Sequence, residues 1–178
     1  MKFELYDQDN APEASQPLLA NSQKGFGMIP NLHAVMADSA PLLEAYQTLH
    51  TLFQQTSFNV EELTVVWQTI NVEHNCHYCI PAHTGIAHMM KVDNAIIESL
   101  RNGTKLATEK LQTLHLTTLA LVRNRGQLSQ GEASAFFEAG YEQRNLLEIV
   151  LGISQKVMSN YVNHLAQTPV DQAFEKFV

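Results

Sequence analysis

Cysteine is nearly absent from this chain, with two among 178 residues. That excludes the disulfide framework that staples small secreted domains, and leaves catalysis or metal binding as the better use for a pair of thiols. Long hydrophobic runs are missing too. No apolar stretch approaches the roughly 18 residues a membrane-spanning helix needs. The first residues, 1–7, are acidic and lack the apolar core of a signal peptide, so a cytoplasmic location is the expectation. Basic residues are few: 11 Lys and Arg stand against 18 Asp and Glu, for a net charge of −7 and no basic cluster. Nucleic acid and anionic membranes both demand a positive footprint, so neither is an expected partner. No Gly-rich phosphate loop, Gly-x-Ser-x-Gly elbow or glycosidase-type carboxylate pair occurs, and no bound cofactor is expected.

What remains is enough for one globular domain. The chain is 45% hydrophobic with only 8 glycines and 6 prolines, and it can bury a sizeable core without staples. Its periodicity is helical almost throughout, with no alternating strand pattern, so the expected fold class is all-α. Residues 1–24 read as an irregular arm and 25–178 as the helical domain. Within it the pattern predicts helices over 31–38, 41–55, 60–73, 77–90, 105–123, 130–138 and 142–166. Asp93 caps a further one that ends before Gly103. Asn59 with Glu62, and Ser129 with Glu132, have the spacing of capping boxes, and Thr104 is the expected cap of the 105–123 helix.

Both cysteines fall in one short stretch, Glu73-His-Asn-Cys76-His-Tyr-Cys79-Ile-Pro-Ala-His83. A Cys-x-x-Cys pair entering a helix is the spacing of a redox dithiol. Pro81 is tolerated only in a first helical turn, which places the helix start near 76–78 and Cys79 inside that turn. The free amides and dipole there favour a thiolate, so Cys79 is the expected nucleophile and Cys76 its resolving partner. His83, one turn on, is expected to exchange protons with the Cys79 sulfur. Glu73 ends the preceding helix, where the dipole should raise its pKa and make it an acid or base for the pair. His77 and Tyr78 are candidate relay or pocket residues. A zinc site using His77, His83 or His88 is an alternative on the same residues.

The stretch from Glu73 to Thr84 resembles the Glu-x-x-Cys-x-x-Cys-x-x-x-His signature of AhpD-like alkyl hydroperoxidases, in the carboxymuconolactone decarboxylase superfamily. Flanking segments support it: Gly27-Met-Ile-Pro30-Asn31 and the helix at Pro41 upstream, Asn160-Tyr-Val-Asn-His164 and Thr168-Pro-Val-Asp171 downstream. The resemblance implies an all-helical, homo-oligomeric antioxidant protein that reduces hydroperoxides or exchanges disulfides without a cofactor or metal. A dithiol or a partner peroxiredoxin would serve as its redox partner. It also implies that Cys79 is peroxidatic, Cys76 resolving, and His83 and Glu73 the proton relay. Two positions depart from the family pattern. Thr64 stands where relatives carry a glutamate on the preceding helix, and Tyr78 where they carry a histidine. A lactone decarboxylase-type enzyme of the same superfamily and a non-enzymatic zinc- or redox-sensing module are the alternatives.

Overall fold

A computed structural model describes residues 3–178. Helix accounts for 70% of the chain, and no strand occurs among the described residues. The α-helices are α1 (Gln16–Phe26), α2 (Asn31–Met36), α3 (Ala40–Gln54), α4 (Val60–Glu73), α5 (Cys79–Met89), α6 (Asn94–Asn102), α7 (Glu109–Arg123), α8 (Gln130–Glu138) and α9 (Gln143–Ala166), followed by a 3-10 segment, Gln172–Phe177. No helix among the described residues is long and apolar enough to cross a membrane.

α4 is the hub, packed by α5, α6, α7 and α9. Its start is set by local chemistry. Asn59 Oδ1 accepts from the Glu61 and Glu62 amides at 3.0 Å each, while the Glu62 carboxylate accepts from the Asn59 amide at 3.0 Å. Such a cap stabilises a helix by about 1 kcal/mol. Ser129 and Glu132 form the same box at α8, and Asp93 caps α6. Thr104 does not cap α7. Its amide closes the end of α6 on the Ser99 carbonyl at 2.9 Å, and Thr108 caps α7 by accepting from Leu111 at 3.2 Å. The buried Leu106 ties down the residues between.

Residues 3–24 are not irregular throughout, since helix begins at Gln16. The boundary drawn at 24–25 falls inside α1, whose Leu19 is fully buried and whose preceding Ser15 hydroxyl donates to the Ala37 carbonyl at 2.6 Å. The inner face of this helix carries Ser22 beside Leu19, so its apolar stripe is too thin to announce a helix.

Two buried clusters result. One is hydrocarbon and aromatic, with Phe53, Trp67, Ile70, Leu114, Phe136 and Ile149 among its members. The other joins Leu19, Leu32, Leu43 and Tyr46 to Cys76, Tyr78 and Cys79. Gly152 lets α9 lie against the first cluster, since a Cβ there would meet Phe53 at 2.8 Å and Val66 at 3.0 Å. Gly85 likewise admits the C-terminal segment onto α5, where a Cβ would meet the Phe174 ring at 2.6 Å.

Candidate active site

The dithiol sits at a sharp joint between two helices. α4 ends at His74, Asn75 takes the left-handed conformation (φ 50°), and the Cys76 amide closes back on the Asn71 carbonyl at 3.0 Å. Asparagine tolerates that backbone better than most residues. Cys79 is then the first residue of α5, as the placement of Pro81 requires. The two cysteines come within 3.0 Å of each other, and both are buried, at 0% and 1% exposure. The Cys79 amide donates to Cys76 Sγ at 3.2 Å, and Asn163 Nδ2 donates to Cys79 Sγ at 3.2 Å.

Facing the pair is a residue that the sequence reading passed over. Lys156, on α9, is fully buried, and among the described residues no carboxylate pairs with it. Its Nζ lies 2.9 Å from His83 Nε2, and its charge acts on both cysteines. An ammonium buried without a counter-ion is costly, and a thiolate is the one anion this pocket can form. Burial alone would raise the Cys79 thiol. The Cys76 hydrogen bond, the Lys156 cation and the Asn163 amide outweigh it and hold Cys79 well below the ordinary thiol value. Cys76, hydrogen-bonded to Cys79 and itself buried, is pushed up and keeps its proton. Lys156 is lowered by burial, against the raising pull of the sulfurs.

His83 therefore bonds Lys156 and not the sulfur. Burial, then the Lys156 charge, pushes its pKa far down, so the ring is neutral and accepts the ammonium proton at Nε2. Nδ1 is left buried with no protein partner. Glu73 is corrected outright. Its carboxylate turns from the pair onto Arg123, with two contacts of 2.8 Å, and this hydrogen bonding lowers its pKa where the helix end was expected to raise it. His77 is exposed and donates from Nε2 to the Thr168 carbonyl at 2.9 Å. Tyr78 is buried at the wall of the active-site cavity. Its hydroxyl donates to the Asp171 carboxylate and accepts from the Leu32 amide at 3.3 Å. The two residues between the cysteines thus hold the C-terminal segment in place.

A cavity of about 960 Å³ opens from Cys79 toward solvent, walled by α1, α3, α5 and the C-terminal segment. Cys79 lines it; Cys76 does not. His33, His50 and Tyr46, which the sequence left unassigned, are also in its wall. Among the described residues no group of three His, Cys, Asp or Glu side chains gathers to hold a metal. Of the histidines in the alternative zinc reading, His77 and His83 are engaged with Thr168 and Lys156, and His88 stacks on Phe177 at 5.2 Å.

Several solved structures superpose on nearly the whole chain. An AhpD-core, peroxidase-related protein from Ralstonia eutropha JMP134 matches with a TM-score of 0.86 at 13% identity, over 97% of this chain and 93% of that one. A peroxidase-related protein from Silicibacter sp. TM1040 matches at 0.80 and 16%, over 98% and 95%. The debrominase Bmp8, as a Cys-to-Ala variant in complex with 2,3,4-tribromopyrrole, matches at 0.82 and 14%, over 99% and 95%. The chain has the AhpD-like fold. At these identities the likeness is one of fold, and neither family models nor curated proteins yield a match.

Within this AhpD-like frame Thr64 is buried and donates to the Val60 carbonyl at 2.8 Å. Its hydroxyl is thus turned to its own helix, and Lys156, beside His83, is the group whose charge acts on the sulfurs. Asn163, Asn160 and Asp171 lie in the downstream segments that supported the resemblance. Lys156 had one weaker signal, a row of Ser159, Asn160 and Asn163 following it on the same helical face.

Proposed function

We propose that this AhpD-like protein is a cytoplasmic, homo-oligomeric thiol peroxidase whose Cys79 thiolate reduces organic hydroperoxides. The observation that carries the reading is Lys156, buried without a carboxylate partner against the one cysteine that lines the cavity. Cys79 Sγ attacks the distal peroxide oxygen and the O–O bond breaks. The departing alkoxide takes a proton from Lys156, leaving alcohol and a Cys79 sulfenic acid. Cys76 then attacks that sulfur, water leaves, and the disulfide closes. His83 Nε2 accepts from Lys156 and keeps it oriented, and a proton from solvent in the cavity restores the ammonium. A dithiol reopens the disulfide, either as a small molecule entering the cavity or through a partner peroxiredoxin. The assembly surface is the outer face of α9, where Leu147, Val150, Tyr161 and Leu165 are 49–68% exposed.

Peroxide consumption with dithiothreitol as donor tests this. Cys79→Ser should lose turnover at least 100-fold, while Cys76→Ser, assayed without the donor, should consume one equivalent of peroxide and stop at the sulfenic acid. Full turnover in Cys79→Ser would sink the assignment. A second reading follows from the debrominase among the structural neighbours. The same dithiol holds the two electrons needed to convert a carbon–bromine bond to carbon–hydrogen, releasing bromide as the disulfide forms. Bromide release from a bromopyrrole without peroxide consumption would select it. The lactone decarboxylase and zinc-module readings have no observation of their own in the site.

A further inference from the structure

The cavity in front of Cys79 specifies more than a thiol's reaction partner. Among its described lining residues Lys156 is the only cation, and its charge is directed at the sulfurs, Cys79 among the lining. His33 and His50 in the wall are both held neutral, lowered to about 4 chiefly by burial. The mouth carries no charged side chain among the described residues and mixes amides and hydroxyls with apolar groups. Phe26, Leu52 and Met89 belong to the lining yet are 49%, 46% and 67% exposed. Inside, aromatic faces continue one another. His33 meets Tyr46 edge-on at 5.5 Å, Tyr46 stacks on His50 at 6.3 Å, and His50 stacks on Trp67 at 5.5 Å.

One ring nitrogen in this wall is left free to meet a ligand as a donor, and a chain of hydrogen bonds fixes its proton. Trp67 Nε1 can only donate, and it donates to Gln155 Oε1 at 2.8 Å. That fixes the amide, so Gln155 Nε2 is the group facing His50 Nδ1 at 3.0 Å. Nδ1 must then accept, and the neutral ring carries its proton on Nε2. This N–H has no partner among the described residues, and the ring lines the cavity. A mostly apolar pocket with a few placed polar groups is the usual architecture for orienting a small organic molecule.

We infer that the cavity selects an uncharged, aryl-bearing hydroperoxide with an oxygen acceptor on its ring body, seated on His50 Nε2–H while the peroxide faces Cys79. This substrate class rests on the peroxidase reading, with His50 as a positioning residue. The aromatic wall takes the aryl body, Lys156 is matched to the sulfurs and leaves no cation for a carboxylate, and the His50 donor orients the ring body so that the peroxide reaches the sulfur.

The binding half is tested without turnover by ligand-observed NMR, using benzophenone, diphenylmethane (no acceptor) and 4-benzoylbenzoate (charged). Benzophenone should bind. The benzoate should bind at least tenfold more weakly. His50→Phe should weaken benzophenone about tenfold, the effect of one hydrogen bond, and leave diphenylmethane unchanged. His50→Gln, which keeps a donor, should restore most of the loss. A general packing defect in His50→Phe would weaken both neutral probes together and would overturn the role given to His50. Equal binding of the benzoate and benzophenone would overturn the uncharged class. Separately, cumene hydroperoxide should oxidise Cys79 at least tenfold faster than hydrogen peroxide. If both peroxides react equally and benzophenone does not bind, this inference falls and the peroxidase reading stands. If benzophenone binds as described but no peroxide is consumed, the peroxidase reading fails, the hydroperoxide part of this inference goes with it, and the uncharged aryl pocket survives.

Discussion

The two halves of α9 are one continuous helix with two different jobs. Its first half buries Ile149 and Gly152 against Phe53 and Val66, as any core helix would. Its second half buries Gln155, Lys156, Ser159, Asn160 and Asn163, all at 0% exposure. Ser159 bonds the Lys156 carbonyl of its own helix, and the others are matched to partners on α3, α4, α5 and the joint between the last two: His50, Trp67, Asn71, His74, His83 and the cysteines. Regular helical geometry carries the registry of a rigid hydrocarbon seam straight into a reactive one. A site mounted this way holds its groups better than one built on loops.

If the halves divide stability from chemistry, substitutions one turn apart should have opposite signatures. Lys156→Met is the strongest test. Removing the cation leaves burial opposed only by the hydrogen bonds from Cys76 and the asparagines, so the Cys79 pKa should rise toward the ordinary value of about 8.5. Iodoacetamide alkylation of Cys79 at pH 7 should slow by more than about tenfold. The wild-type rate should stay on its plateau down through neutral pH and fall only in the acid range, while the variant's should climb steadily into alkali. Thermal stability should hold or rise, because an apolar side chain of similar length replaces a buried charge. A melting temperature that falls with little change in alkylation would make Lys156 structural.

Gly152→Ala, one turn earlier, should do the reverse. The new Cβ sits 2.8 Å from the Phe53 ring, and overpacking of this kind costs about 1–3 kcal/mol. Urea denaturation should show the loss, with Cys79 reactivity unchanged. Gly131, which has open space where its Cβ would lie, is the control. A Cys79 rate that fell with Gly152→Ala would show that the two halves are coupled.

The outer face runs across both halves and sharpens the division. Leu147 and Leu165 are 68% and 61% exposed, and the exposed apolar positions recur along the length of the helix. Leu147→Glu with Leu165→Glu should shift the sedimentation profile toward monomer and leave single-turnover oxidation of Cys79 within about twofold. A monomeric wild type would remove the assembly role.

How much of this was legible in the residues follows the same line. The starts of α4, α6 and α8 were readable because Asn59, Asp93 and Ser129 act on amides two or three residues away. The dithiol's place at the head of α5 followed from Pro81 in the same local way. Lys156 was not readable as a site residue, since a lysine in a helix is solvated unless the tertiary structure brings an anion to it. His50 needed Gln155 and Trp67, which are distant in sequence, before its tautomer meant anything. α1 hid because its buried face is half serine.

Glu73 marks the limit of local reasoning and gives the smallest expected effect. It does end α4 beside the cysteines, as its spacing indicated, but a helix end fixes where a backbone stops and not which way a side chain turns. Arg123 lies on α7, fifty residues on in sequence, and claims both oxygens. The pair is partly exposed, with side chains 58% and 25% accessible, and pairs of that kind contribute about 0–1 kcal/mol. Glu73→Gln should therefore lower stability by less than about 1 kcal/mol. It should leave the pH profile of Cys79 alkylation where it is in the wild type. A shift of that profile would return Glu73 to the relay and extend the chemical region from α9 onto the end of α4.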